Sequence, residues 1–230
     1  MIIGNGLLAK TFFSYKIKED IIIYASGVSD SVTSTEDDFL REKTLLEDTI
    51  MKHPNKTIVY FSSCDVDNNI NTKYYLHKYN MEKIVSLKSN NYYIFRLPQV
   101  IGYGGNDNTL INFLVKQIND GIEFTCYMQT YKSLIGVDTV FSMCNYIIEK
   151  KLYKSQIINI LNPNYIAVEN IISTIEVFLN KKGKYKTKIV VSKPNYDTKI
   201  SEILATKLHI DFNVNYLDNL LLKYYRVETI

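Results

Sequence analysis

The chain has 230 residues, 46% of them hydrophobic and 22% charged, with a formal net charge of +3. That length suits one domain, or a domain with a small annexe, and is enough to bury a real core. So small a charge does not argue for a nucleic-acid binder, which wants a strongly basic face. No apolar run is long enough to span a membrane, and the first residues lack the basic start and long apolar core of a secretory signal. Three cysteines, Cys64, Cys126 and Cys144, have no metal-ligand spacing and cannot all pair. They read as reduced thiols of a cytoplasmic protein without a metal site.

In chain order, Met1 to Ile3 is a very short apolar strand running into Gly4-Asn5-Gly6-Leu7-Leu8-Ala9, with a helix to about Tyr15. Ile21 to Tyr24 is a continuous apolar run, as in a strand buried on both faces, followed by the small residues Ala25, Ser26 and Gly27. Ser34 to Asp38 looks like a helix start with acids in its first turn, and His53 marks that helix's end. Thr57 to Phe61 is a strand ending in Ser62-Ser63, a helix runs from about Lys73 to Leu87, and Tyr92 to Leu97 is a further strand before Pro98. This alternation predicts a mostly parallel sheet covered on both faces.

Beyond Asn106 the pattern is less regular. Thr109 to Ile118, Val168 to Leu179 and Leu217 to Tyr225 read as helices, and Ile157 to Leu161 and Lys188 to Val191 as strands. The lysines at 181, 182, 184, 186 and 188 read as a solvated loop. The expected division is a sheet domain over 1–150 and a small lobe over 151–230, with interleaving of segments allowed.

Two features bear on chemistry. Gly4, Gly6 and Ala9 fit a strand-turn-helix in which the first Gly makes the turn, the second admits a pyrophosphate and the third small residue lets helix and strand pack. A tight turn with no ligand would use the same residues. Secondly, Tyr74 and Lys78 stand four apart on a helix and share a side. A nearby ammonium favours the phenolate, so such a tyrosine can give or take a proton while a serine holds the same oxygen. Tyr79 and Lys83 have the same spacing.

The run Tyr74-Tyr75-Leu76-His77-Lys78-Tyr79-Asn80-Met81-Glu82 resembles the Tyr-x-x-x-Lys helix of extended short-chain dehydrogenases/reductases, the NAD-dependent epimerase/dehydratase group, in which a Glu often follows the Lys by four. Val59 to Val66 is similar to the group's catalytic Ser/Thr strand. Ile94 to Gly102 is similar to its Arg-x-x-Asn-Val-x-Gly strand, and Leu134 to Val140 to its Ile-x-Val-Asp-Asp-Val segment. The resemblance spans nearly the whole chain in the right order. It implies a Rossmann-like α/β fold with a small C-terminal substrate lobe, and a homodimer built on the Lys73 helix. It implies an NAD- or NADP-dependent reductase or epimerase acting on a nucleotide-linked sugar, in surface polysaccharide biosynthesis.

By the same resemblance Ser63, Tyr74 and Lys78 are the catalytic set, with Lys78 orienting the cofactor ribose. Gly4, Asn5, Gly6, Leu7, Ala25, Ser26, Gly27, Ser62, Pro98 and Val100 line the dinucleotide. Gln99 and Lys132 stand where the family places substrate-contacting Asn and Arg. The family's second and third strands are missing between the first helix and Ile21, and with them the acidic residue that holds the adenosine ribose. The sheet is thus expected to be shortened, with Met1 to Ile3 at its edge, and dinucleotide binding to be weak and poorly selective unless another segment, such as 29–35, replaces the lost wall. The alternative is a non-catalytic nucleotide-sugar or regulatory binding protein on the same fold. Other residues read as bland: His77 as a surface or interface residue, Cys64 as a buried thiol and Asp138 as a helix cap.

Overall fold

The computed structural model of the protein describes residues 1–29 and 34–226; residues 30–33 of the 29–35 segment lie outside that range. The elements are β1 (Ile2–Ile3), α1 (Leu7–Thr11), a 3-10 helix (Phe13–Ile17), β2 (Ile21–Tyr24), α2 (Glu36–Lys52), β3 (Thr57–Ser63), α3 (Lys73–Lys88), β4 (Asn91–Leu97), β5 (Gln99–Ile101), α4 (Leu110–Asp120), β6 (Phe124–Gly136), α5 (Val137–Glu149), β7 (Gln156–Asn159), β8 (Tyr165–Ala167), α6 (Val168–Leu179), β9 (Tyr185–Ser192), α7 (Lys199–Lys207) and α8 (Tyr216–Tyr224).

The chain divides into two compact units. The first comprises 1–97 and 137–160, the second 98–136 and 161–230. The segments interleave. Residues 98–136, expected in the sheet domain, belong to the second unit, and 151–160, expected in the lobe, supply the last strand of the first.

The first unit is a Rossmann-like α/β fold. Its sheet has the order β1-β2-β3-β4-β7 with every pairing parallel. β1 lies at the edge, as expected once two strands are lost, and its shortness limits the unpaired backbone it exposes. Strand alternation sorts the core. Ile22, Tyr24, Ile58, Tyr60 and Ile94 pack with Leu46 and Ile50 of α2 and Met81 and Val85 of α3. Phe61 points the other way, to Phe12 after α1, which also meets Phe141 of α5. Both faces are therefore covered, which is why β2 and β3 read as apolar runs.

Local chemistry fixes the ends. Thr35 and Asp38 form a reciprocal capping box, Thr35 Oγ1 accepting from Asp38 N and Asp38 Oδ2 from Thr35 N. Thr72 caps α3 by accepting from Tyr75 N. α1 is shorter than its sequence suggested: the backbone tightens into the 3-10 helix at Phe13.

The second unit is built on β6, which pairs with β5 in parallel, β8 antiparallel and β9 in parallel. Its core joins α4, α6 and α8 through Leu114, Ile118, Ile171, Ile175, Leu217 and Leu221. The lysine-rich stretch is not simply a solvated loop. Residues 185–192 form β9, Lys182 pairs with Glu176 at 2.8 Å and Lys186 with Glu123 at 2.8 Å.

Gly4 is required by its conformation. Its φ is +119°, and a Cβ there would run into the Ala25 carbonyl, so the turn after β1 can lie against the turn after β2 only as glycine. Gly6 differs: among the described residues a Cβ there meets nothing within 4 Å. Gly4→Ala is therefore expected to lose about 2–3 kcal/mol of folding stability, and Gly6→Ala to stay within about 0.5 kcal/mol of the parent, both read by urea denaturation.

Candidate active site

Helix α3 carries Tyr74, Lys78 and Glu82 on one side, a turn apart. Lys78 is only 4% exposed, and its ammonium points at Glu42 of α2, which has no exposed surface. Lys78 Nζ donates to Glu42 Oε1 at 3.3 Å and Oε2 at 3.5 Å, and to the Tyr60 hydroxyl at 3.4 Å. Glu42 collects further donors. Tyr60 OH reaches Oε1 at 2.7 Å, and Val28 N–H and His77 Nε2 reach Oε2 at 2.7 and 2.9 Å. The backbone carbonyl of Glu42 accepts from Tyr24 OH at 2.9 Å. Elements β3 and α3 and the turn after β2 thus meet on one carboxylate of α2, and β2 reaches the same residue through its backbone carbonyl.

Burial alone would push the Glu42 carboxyl up. The charge of Lys78 and the hydrogen bonds from His77, Val28 and Tyr60 outweigh it and hold the pKa at about 2. The same burial, with Glu42 beside it, pushes the Tyr60 phenol well above its ordinary range.

His77 is not a surface residue. It is buried, bonded to Glu42 and stacked on Phe39 with ring centroids 4.6 Å apart. Since the carboxylate only accepts, Nε2 carries the hydrogen of that bond. Tyr79 and Lys83 lie elsewhere on α3: Lys83 is exposed and sits over the Tyr79 ring at 4.5 Å.

The Tyr74 hydroxyl donates to the Val28 carbonyl at 3.3 Å, and Lys78 Nζ lies 5.8 Å from the Tyr74 ring centroid. Val28 therefore links Tyr74 through its carbonyl and Glu42 through its N–H. Glu82 and Arg96, the two outer residues of the family-like pattern, meet each other: Arg96 grips Glu82 through two bonds of 2.8 and 2.7 Å and also pairs with Asp67. This buried fork fastens α3 to β4.

The serines diverge. By strand alternation Ser62 shares the α3 side with Tyr60, whereas Ser63 alternates to the other side, its Oγ accepting from Asp65 N–H at 3.2 Å. Among the described residues Ser62 Oγ is buried without a hydrogen-bond partner. Gly4, Asn5, Gly6 and Leu7 form the turn into α1, with Asn5 and Gly6 exposed, and Ala25 N–H bonds to the Ile3 carbonyl at 2.8 Å. Ser26 Oγ meets Arg41 at 3.4 Å. Gly27 lies on the ion pair, for a Cβ there would stand 2.7 Å from Lys78 Nζ. Pro98, Gln99, Val100 and Lys132 belong to the second unit, where register puts Gln99 opposite Leu134 and Lys132 opposite Ile166.

These residues fit a dinucleotide at its phosphate end. The Gly6 backbone is open, and the first turn of α1 carries no acidic residue to repel an anion. With five residues α1 has only a small dipole to add, so the open backbone of the turn is the main feature. At the ribose end the expected partner, Lys78, is already engaged by Glu42.

The thiols match their expected character. Cys64, Cys126 and Cys144 are free and buried, and burial pushes Cys64 and Cys144 well up. Among the described residues no helix is long and apolar enough to cross a membrane, and no cluster of three His, Cys, Asp or Glu side chains is arranged for a metal.

Sequence reading missed Glu42. It lies three residues after Phe39 and four before Leu46, on the buried stripe of α2, and a carboxylate on such a stripe needs partners. Glu42→Gln is expected to lose about 3 kcal/mol or more at pH 7, because it leaves a buried ammonium unpaired. The folded-state pKa is depressed, so the wild-type advantage is present above the unfolded pKa. It fades as pH falls from about 4.5 towards 2. Urea denaturation of both proteins across that range measures it.

No protein-family profile and no curated protein matches the chain. Solved structures do. RMD from Pseudomonas aeruginosa, complexed with NADPH, is 12% identical with a TM-score of 0.73, covering 95% of each chain. UDP-glucuronic acid 4-epimerase from Bacillus cereus, with UDP-glucuronic acid and NAD, is 17% identical with a TM-score of 0.70, covering 94% of this chain and 76% of that one. TunA, an NAD-dependent NDP-hexosamine 5,6-dehydratase, is 12% identical with a TM-score of 0.70, covering 94% and 79%. The chain therefore shares the Rossmann-like α/β fold of these solved structures.

Proposed function

We propose that the chain is an NAD- or NADP-dependent reductase or epimerase acting on a nucleotide-linked sugar. The observation that carries this reading is the open Gly6 backbone beside a glycine-demanding turn at the end of a parallel strand. The neighbours complexed with NAD or NADPH support it. In this reading Gly4 to Leu7, Ala25 to Gly27 and Ser62 of the first unit receive the dinucleotide, and Gln99 and Lys132 of the second unit bind the sugar nucleotide. A bound nicotinamide supplies hydride transfer. Tyr74 OH moves the proton at the sugar oxygen, after leaving its 3.3 Å bond to the Val28 carbonyl. The resemblance assigns Ser63 to hold that oxygen, for which its side chain must turn from the side away from α3, and Lys78 provides positive charge near the phenol. Cytoplasmic assembly of surface polysaccharide is the setting this reading implies.

A second reading, a non-catalytic binding protein, is favoured by one observation: the ammonium that would meet the cofactor ribose is spent on Glu42. Calorimetric titration separates the two. Saturable but weak binding of both NAD and NADP is expected, reduced at least about tenfold in Gly6→Ala, whose fold should be unaffected. A sugar nucleotide that binds where neither dinucleotide does would favour the second reading. Tyr74→Phe is expected to lower turnover about a hundred- to ten-thousandfold; equal loss from Tyr79→Phe with Tyr74→Phe near normal would move the acid/base to the other pair.

A homodimer through α3 belongs to the same reading. It is supported by the exposure of Leu76 and Leu87 on α3 and of Leu40 and Met51 on neighbouring α2. Light scattering should give twice the chain mass; a monomer at working concentration would remove the dimer and leave the fold untouched.

A further inference from the structure

We propose that Lys78 is a positioning residue in this chain: its ammonium anchors Glu42, and through Glu42 the Val28 turn, and it makes no contact with a bound dinucleotide. The inference rests on the reading that the chain binds a dinucleotide, and it reassigns the lysine of the family-like motif.

The geometry argues it by counting donors. A lysine ammonium has three. Here three oxygens take them: Glu42 Oε1, Glu42 Oε2 and the Tyr60 hydroxyl, at 3.3, 3.5 and 3.4 Å. The Gly27 backbone covers the same ammonium so closely that one added carbon would overlap it. Turning Lys78 towards a ribose would leave Glu42, fully buried, with only neutral donors, and an uncompensated buried charge is costly. A cofactor hydroxyl in place of a carboxylate returns far less.

The consequence reaches Tyr74 through the backbone. Val28 N–H is held by Glu42 at 2.7 Å, and Val28 C=O receives Tyr74 OH at 3.3 Å. The ion pair fixes Glu42, Glu42 fixes Val28, and Val28 sets where the phenol rests. The groups facing this cluster are Tyr24 from β2, Phe39 from α2, Tyr60 from β3, and Tyr74, His77 and Lys78 from α3. Among these partners Lys78 is the one fixed cation that Glu42 has.

The test follows wild-type protein labelled with 15N-lysine and 13C-glutamate as NADPH is added. The coupling across the hydrogen bond between Lys78 Nζ and the Glu42 carboxylate carbon should persist when NADPH saturates the protein. Loss of that coupling on saturation, or its absence from the free protein, overturns the proposal. Absence of binding to wild type is a separate result: it sinks the functional reading and not the assignment of Lys78 to Glu42.

Discussion

A carboxylate with no exposed surface must be surrounded by donors, and in this protein that requirement is met at Glu42. A single oxygen pair draws a lysine and a histidine from α3, a tyrosine from β3 and a backbone N–H from the turn after β2. The apolar contacts of α2 and α3 against the sheet are non-directional and tolerate small slides. The bonds to Glu42 do not, so they set how far along the sheet each helix stands. The Arg96–Glu82 fork does the same one turn further along α3. Two polar clusters thus give α3 its register, and with it the position of Tyr74.

The shortened sheet has consequences of its own. With β1 at the edge, the turn through Gly4 has a strand on one side only, and its conformation is enforced by the turn after β2, where the Ala25 carbonyl and Ser26 N stand nearest. The backbone that would receive phosphate is kept in shape, while the flank that would wall the adenosine is reduced. The economy extends to α1, whose single turn and a half gives way to a 3-10 helix anchored by Phe12 and Tyr15 in the core. A fold trimmed in this way retains the centre of the sheet, where β2, β3 and β4 are covered on both faces, and loses the periphery.

Much of this architecture was legible in the sequence, because runs such as Ile21 to Tyr24 and Thr57 to Phe61, and the stripe of Val168 to Leu179, carry unambiguous periods. β6 and α5 were not legible. The inward alternation of Phe124, Cys126, Met128 and Thr130 is lost beyond Thr130, the pairing with β9 shifts register at Gln129, which takes a φ of +60°, and α5 follows β6 with no intervening loop. A continuous apolar run across Leu134 to Val140 cannot be divided into strand and helix by period alone. The boundary at 150 differed from the two units for a related reason: the second unit takes a middle segment of the chain, and interleaving leaves no compositional mark. At the candidate site, Tyr74 and Lys78 were legible as a pair, but the partner that claims Lys78 was not. Glu42 looked like one more acid on an acidic helix, and His77 looked exposed because the burial of both depends on a third element, β3.

The most direct test of the account is to follow backbone amide resonances of 15N-labelled protein as NADPH is added. The account places the dinucleotide on the turns after β1 and β2, so the amides of Gly4 to Leu7 and Ala25 to Val28 should shift together and saturate at a common concentration. Saturable shifts that spare both turns, or no shifts at any attainable concentration, would contradict it.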